Sequence, residues 1–192
     1  MFQPNDFVKL TNNNGINNDF QFREGLNEDI YKFNKNKKCS KGGFYFCKYK
    51  DVYEWLGSYN NALIWKVKIP EGEEIIEYSD KLKTNSIILS NPVCFYDDYE
   101  RCKLAIKKNW FYFKFVKEQT EELCMLAIQK NTWAFNYLKK QTEEICKLAV
   151  KQNGLALQFV KKQTEEICKL AVKQNKYAIQ FVKQEFHKLK KY

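Results

Sequence analysis

The pattern of hydrophobic and polar residues changes near residue 93. Before this point, apolar and aromatic residues alternate with polar ones in short runs, a pattern typical of half-buried strands. After it, apolar residues recur three and four positions apart, as on one face of a helix. The sequence predicts an α+β fold with two domains: an α+β domain at 1–93, and an all-α solenoid of short helix pairs at 94–192.

Strands are predicted in the first domain wherever the alternation persists for four residues or more. These runs are 7–10, 20–23, 44–47, 62–69, 74–78 and 86–89. Residues 50–56 predict one short helix, and the polar segments 12–18 and 34–41 predict loops. The strands are expected to form an antiparallel or mixed sheet.

The second domain consists of a repeat of 22 residues. Four units align without gaps and begin at Cys102, Cys124, Cys146 and Cys168. The third unit reads CKLAVKQNGLALQFVKKQTEEI. A threonine followed by two glutamates is a good helix start, because threonine caps the helix and negative charge suits its first turn. The asparagine in the middle of each unit is expected to cap a second short helix, which in this unit runs through Leu155 to Val160.

A continuous helix is the alternative to paired helices. Twenty-two is twice eleven, and an 11-residue repeat also keeps an apolar stripe in register along one right-handed coiled helix. Asparagine or threonine recurs every eleven residues, and both are poor residues inside a helix but good caps. The caps therefore favour paired short helices.

The four periodic cysteines are predicted to lie in the core, where free cysteine packs as a small hydrophobic residue. We expect neither a metal nor a cofactor, because the chain has no CxxC pair and His187 is its only histidine. No signal peptide and no membrane span are recognisable. Reduced cysteines indicate a reducing compartment, so an intracellular protein that is not secreted is expected.

Positive charge is concentrated in the repeats. Residues 1–93 hold 13 Lys and Arg against 12 Asp and Glu, whereas residues 94–192 hold 20 against 11. Some lysines recur in register and would form rows on a stacked array. The candidate partner-binding residues are these lysines and two nearby tryptophans: Lys117, Lys139, Lys161 and Lys183 in one row, Lys107, Lys151 and Lys173 in another, with Trp110 and Trp133.

Both halves of the chain resemble repeat proteins of giant, mimivirus-like DNA viruses. The run LAVKQNGLALQFVKKQTEEIC resembles short helical repeats of unknown function in such viruses, over about residues 94–189. The blocks DFQFREGLN, CSKGGFYF, VKIP and KTNSIIL resemble a module that precedes ankyrin and other repeats in these proteins, over about residues 5–93. The resemblance implies a helical array in the host cytoplasm and implies no enzyme activity.

Three functions are compatible with the sequence, although it indicates no reaction or substrate. The first is a non-catalytic interaction protein that binds a host or viral protein through its repeats. The second is a nucleic-acid-binding protein that uses the lysine rows, although scarce arginine weakens this hypothesis. The third is a small transferase or hydrolase centred on the first domain, where Tyr45, Trp55 and Trp65 could line a cleft and Cys39 could act as a nucleophile. Gly42 and Gly43 predict a turn, since they match no phosphate-binding motif.

Overall fold

The computed structural model of the chain describes residues 2–34, 41–58 and 62–186. The chain forms two compact units, Met1–Asp98 and Tyr99–Tyr192. The predicted boundary at residue 93 falls inside the last strand, which continues to Cys94 and is followed by a short 3₁₀ helix, Phe95–Asp97. Phe95 and Tyr96 are buried.

The first unit is built on an antiparallel sheet, so the mixed alternative does not apply. Its seven strands lie in the order β4-β9-β6-β1-β5-β8-β7, and β2 and β3 form a separate pair. The strands are β1 (Phe7–Thr11), β2 (Ile16–Asn17), β3 (Phe20–Gln21), β4 (Gly25–Glu28), β5 (Phe44–Lys48), β6 (Leu63–Lys68), β7 (Ile76–Glu77), β8 (Leu82–Thr84) and β9 (Ser86–Cys94).

An aromatic and aliphatic cluster forms the core of this unit. Its members come from β5, β6, β8, β9 and the segment after β3: Phe22, Phe44, Phe46, Trp65, Val67, Leu82, Ile87 and Leu89. Alternate residues of the strands therefore supply the core, as the period of two predicted.

Three local predictions for this unit need correction. The predicted loop at 12–18 contains β2, because Asn18 and Asp19 adopt positive φ and form a two-residue turn into β3. The predicted helix at 50–56 is a 3₁₀ helix, Tyr49–Glu54, followed by a second one, Leu56–Ser58. Strands β4 and β8 were not predicted, because GLNE and LKT each contain a single large apolar residue and show no alternation.

Each repeat begins with an α-helix at the predicted place. The helices are α1 (Tyr99–Lys108), α2 (Glu121–Lys130), α3 (Glu143–Gln152) and α4 (Glu165–Gln174). The hydroxyl of Thr142 accepts a hydrogen bond from the backbone N–H of Ile145 at 3.3 Å, and the equivalent threonines of α2 and α4 do the same. The predicted threonine caps are confirmed.

The continuous-helix alternative is wrong, because the backbone leaves helical geometry at each asparagine. Asn153 has φ −147° and ψ 106°, and its side chain accepts a hydrogen bond from the N–H of Leu155. The next element is a 3₁₀ helix of six residues rather than an α-helix. The four examples are Trp110–Phe115, Thr132–Tyr137, Gly154–Phe159 and Lys176–Phe181.

Hydrogen bonds between residues three apart define the 3₁₀ geometry. The N–H of Ala156 donates to the carbonyl of Asn153 at 2.9 Å, and that of Val160 donates to the carbonyl of Leu157 at 3.1 Å. Three residues per turn make these short elements tighter than an α-helix.

Glutamine side chains fasten each 3₁₀ helix to the α-helix that precedes it. The amide of Gln141 donates to the carbonyl of Phe159 at 2.9 Å and accepts from the N–H of Lys161 at 2.9 Å. Gln119 makes the same two bonds one repeat earlier, and Gln163 makes them one repeat later. We call this recurring pair of bonds the glutamine clamp. It binds the end of one 3₁₀ helix to the start of the α-helix before it.

The glutamine clamp is expected to contribute to stability. Gln141→Glu keeps the size and the acceptor but removes the donor, so a carboxylate would face the Phe159 carbonyl. We expect a loss of about 1–3 kcal/mol in the free energy of unfolding, because a partner carbonyl is left without its bond. Urea denaturation measures this loss.

The matched control is Gln158→Glu. The Gln158 side chain is exposed and bonds only within its own 3₁₀ helix, to the Leu155 carbonyl. This change is expected to alter the free energy of unfolding by less than about 0.5 kcal/mol. Equal losses in the two variants would contradict a role for the clamp in fastening the 3₁₀ helix to its α-helix.

Candidate functional site

The first lysine row lies at the ends of the 3₁₀ helices. Lys117, Lys139, Lys161 and Lys183 are all exposed. The amine of Lys139 donates to the carbonyls of Val116, at 3.2 Å, and of Lys117, and that of Lys183 donates to the carbonyl of Lys161 at 2.8 Å. Two amines of this row therefore bond to the backbone of the preceding repeat, which gives the row a structural role.

The second lysine row lies at the ends of the α-helices. Lys107, Lys151 and Lys173 are exposed in the last turns of α1, α3 and α4. Positive charge is favourable there because it faces the negative end of the helix dipole. This placement alone accounts for the second row without a partner.

Exposed aromatic side chains occupy one position of the repeat. Phe111, Trp133 and Tyr177 are each the second residue of a 3₁₀ helix, and 38%, 62% and 65% of their surface is exposed. Leu155 is the equivalent residue of the third repeat and is half-buried. We call these four residues the aromatic row. Of the two predicted tryptophans, Trp133 belongs to this row.

Other rings lie beside the aromatic row. Trp110 is half-buried, and its ring centre is 6.5 Å from that of Tyr137. The Tyr137 ring also contacts Phe111 at 6.1 Å, and Trp133 contacts Phe159 at the same distance. Rings of the first three repeats therefore meet at the surface, whereas the ring contacts among the described residues do not extend to Tyr177. Sequence reasoning missed Phe111, Tyr137 and Tyr177, although their fixed spacing was present as a signal.

The glutamates at the helix starts form ion pairs between repeats. Lys147 lies 3.2 Å from Glu143 in its own helix and 2.9 Å from Glu166 in the next. These hydrogen bonds, led by that to Glu166, raise the pKa of Lys147 above its usual value. Lys103 pairs with Glu122 of the following helix at 2.7 Å. Negative charge thus collects at the starts of the α-helices, away from the second lysine row at their ends.

The periodic cysteines are buried, as predicted. Cys102, Cys124, Cys146 and Cys168 have at most 3% of their surface exposed, and all are free thiols. Burial is the main cause that raises the pKa of the last three to about 11. They are therefore protonated at neutral pH and unreactive.

The remaining candidate residues are Cys39, His187 and the glycine pair Gly42 and Gly43. Cys39 and His187 lie outside the described residues. Within the described part of the chain, no group of three His, Cys, Asp or Glu residues could hold a metal ion, and no helix is long and apolar enough to cross a membrane. Gly42 and Gly43 have positive φ, and the N–H of Gly43 donates to Asp29 at 2.7 Å. They form a turn, as predicted.

A cavity of about 780 Å³ lies in the first unit. Tyr45 and Trp55 line it, as the third functional hypothesis expected. Trp65 does not: it belongs to the core, and its indole N–H donates to the hydroxyl of Thr11 at 2.9 Å. Lys9 also lines the cavity, and this residue was missed because a single lysine within a strand gives no signal.

Lys9 is the most perturbed basic residue of this cavity. It is 5% exposed, and its amine donates to the carbonyl of Tyr45 at 2.7 Å. Burial lowers its pKa from 10.5 to about 7, and the positive charge of Lys81 acts in the same direction. The Lys9 amine therefore changes charge near neutral pH.

The repeat region is similar to a known family of domains. The family described as Domain of unknown function (DUF4116) matches residues 142–187. This segment contains α3, α4 and the 3₁₀ helices that come after them. Comparison with curated proteins and with solved structures found no match. The similarity therefore concerns the repeat itself and assigns no function.

Buried cysteines should resist modification. Cys124 and Cys146 are expected to react with a thiol reagent only after denaturation, because the thiols are inaccessible and protonated. Cys146→Ser should lower the free energy of unfolding by about 1–3 kcal/mol, since a hydroxyl would replace the thiol in an apolar site. Mass spectrometry after labelling of native protein measures the first expectation. Rapid native labelling of both residues would contradict it.

Lys9 should make stability depend on pH. At Lys9 the unfolded chain binds more protons than the folded chain between pH 7 and 10.5, so this residue makes the free energy of unfolding rise with pH in this range. The buried cysteines act in the opposite direction above about pH 9, because burial raises the pKa of Cys47 from 9.0 to about 12 and that of Cys124, Cys146 and Cys168 to about 11. We compare the free energy of unfolding of the original protein with that of Lys9→Met. The value for the original protein minus the value for the variant should increase by about 1 kcal/mol per pH unit from pH 7.5 to 9.

Urea denaturation at several pH values measures this difference. The comparison with Lys9→Met removes the contributions of all other ionisable groups. A difference that is constant across this range would show that Lys9 keeps its ordinary pKa.

Proposed function

We propose that this chain is a non-catalytic interaction protein whose repeats bind a protein partner through the aromatic row. One observation carries the proposal: large aromatic side chains are exposed at the same position of three of the four repeats, at Phe111, Trp133 and Tyr177. Exposed aromatic residues in a continuous group are costly in water and are typical of binding surfaces. In keeping with the resemblance to viral repeat proteins, the partner is a host or viral protein.

The proposed architecture is an all-α solenoid in which each short α-helix is paired with a 3₁₀ helix. The repeated bonds of the glutamine clamp support it, because they close each such helix pair in the same way. Arrays of this kind present long surfaces for partners and rarely carry catalysis. The aromatic row would then extend along such a surface.

The chemistry of the surface suggests an acidic partner with exposed apolar side chains. Each lysine of the second lysine row lies four residues before a member of the aromatic row along the chain, as Lys107 and Phe111 illustrate. Residues 94–192 carry a net charge of +9, from 20 basic and 11 acidic residues. Cations near the rim of an aromatic patch speed encounter with an acidic surface, whereas the rings supply most of the affinity.

Nucleic acid is the second candidate, and the net charge is the observation that favours it. Two facts argue against nucleic-acid binding. Amines of the first lysine row, those of Lys139 and Lys183, already bond to backbone carbonyls. Only two of the 33 basic residues are arginines, Arg23 and Arg101, although arginine is the residue that best recognises phosphates and bases.

Replacement of exposed rings tests the proposal. Trp133→Ser and Tyr177→Ser together remove two members of the aromatic row at exposed positions, so the fold should persist. We expect capture of the protein partner from native cells to fall at least tenfold, since aromatic hot spots contribute about 2 kcal/mol or more each. Quantitative mass spectrometry of captured proteins measures the change, and circular dichroism verifies the fold.

The matched control changes the first lysine row. Lys139→Gln, Lys161→Gln and Lys183→Gln remove three charges and leave the rings intact, and glutamine is nearly as good a helix former as lysine. Protein capture should be almost unchanged. If this control abolishes capture and nuclease treatment also does so, nucleic-acid binding replaces the proposal. If neither set of changes affects capture, the repeat surface is not the binding site.

A further inference from the structure

The cavity of the first unit lies where two strands of the sheet separate. β1 and β5 pair at Phe7 with Lys48 and at Val8 with Cys47. Beyond Val8, β1 continues its pairing with β6 on the other side, and β5 continues with β8. The side chains and backbone that face the resulting gap line the cavity. A gap within a sheet exposes backbone N–H and C=O groups that hydrogen bonds between paired strands would otherwise satisfy.

Lys9 lies at this gap. Its amine donates to the Tyr45 carbonyl, which is the one hydrogen-bond acceptor that the described residues offer it. The Phe22 ring, 4.8 Å away, is a second neighbour. An ammonium group has three N–H donors, and a buried one needs either further acceptors or a negative partner. The Lys9 amine is thus a buried donor that the protein leaves incompletely satisfied.

A second cation and several aromatic rings surround the same cavity. Lys81 is 7% exposed, and its amine lies 4.3 Å from the ring centre of Tyr45 and 5.2 Å from that of Trp55. Tyr31, whose ring is half exposed, also lines the cavity, with the amine of Lys41 5.0 Å from its centre. Flat rings on a cavity wall suit stacking with a flat ligand.

The two acidic residues of the lining do not neutralise the Lys9 amine. Both carboxylate oxygens of Asp29 accept backbone N–H groups, from Tyr31 at 3.0 Å and from Gly43 at 2.7 Å. Asp19 is exposed in the turn between β2 and β3. Neither makes a salt bridge to Lys9 among the described residues, so a negative ligand would be the stronger partner for its amine.

We propose that this cavity binds a small phosphorylated ligand with a flat aromatic ring, such as a nucleoside monophosphate. The phosphate accepts hydrogen bonds from the amines of Lys9 and Lys81, and the ring stacks on the tyrosine and tryptophan walls. A cavity of about 780 Å³ falls within the usual range for small-molecule sites, roughly 300–1,000 Å³. The inference concerns the first unit and is independent of the aromatic row.

Binding of AMP to the full chain tests the proposal. Isothermal titration in buffers without phosphate should show binding of AMP and much weaker binding of adenosine, which lacks the anionic group. At pH 8 the Lys9 amine is largely neutral, so the phosphate should draw a proton onto it. Titrations in two buffers of different ionisation enthalpy should therefore reveal uptake of about 0.5–1 proton per AMP bound.

Two variants locate the site. Lys9→Met should weaken AMP binding at least tenfold and abolish the proton uptake. Tyr31→Leu changes a half-exposed wall residue and should weaken binding of AMP but not that of inorganic phosphate. The control Lys68→Met removes an exposed cation from β6 of the same unit and should leave AMP binding and proton uptake unchanged.

Three results would overturn the proposal. The first is the absence of AMP binding at millimolar concentration. Lys9 would then have only a structural role, as the residue whose amine links β1 to β5. The second is AMP binding that takes up no proton and is not weakened by Tyr31→Leu, which would place AMP outside this cavity even if Lys9→Met fails to fold. The third is binding of octanoate in place of AMP, which would assign the cavity to an aliphatic anion.

Discussion

The repeat region depends on side-chain amides that satisfy the backbone at the end of each 3₁₀ helix. A six-residue 3₁₀ helix leaves carbonyl and N–H groups at its end without partners of its own. Gln141 supplies both missing partners, to Phe159 and Lys161. An amide is suited to this task because it donates and accepts at once. Each 3₁₀ helix is therefore held by the glutamine that precedes its own α-helix, and a 3₁₀ helix alone would leave polar groups unsatisfied.

This constraint separates the positions that hold each helix pair together from those that are free to vary. The glutamine of the clamp is the same in three repeats, at Gln119, Gln141 and Gln163. The second position of the 3₁₀ helix instead holds phenylalanine, tryptophan, leucine or tyrosine. An exposed position can change its side chain with little loss of packing. The aromatic row is thus where recognition can differ from repeat to repeat.

The sequence predicted features that depend on neighbours along the chain. Threonine and asparagine caps, the buried cysteines and the main strands were predicted correctly, because each depends on local spacing. The 3₁₀ helices were missed because apolar residues three or four apart fit both kinds of helix over six residues. The clamp was missed because Gln141 bonds 18 and 20 residues away. Its only sequence signal is its recurrence every 22 residues, and recurrence alone does not reveal a partner.

Lysine amines bond to backbone carbonyls in both units, and burial determines whether such an amine keeps its charge. Lys183 reaches the Lys161 carbonyl at the surface, where water completes the hydration of its charge. Lys9 makes the same kind of bond with 5% of its surface exposed, so desolvation disfavours its charged form. The protein can recover that cost only if a negative group enters the cavity. An anion near a surface amine stabilises it little, because water already solvates the charge. An anion beside a buried amine stabilises the protonated form and accepts its remaining hydrogen bonds.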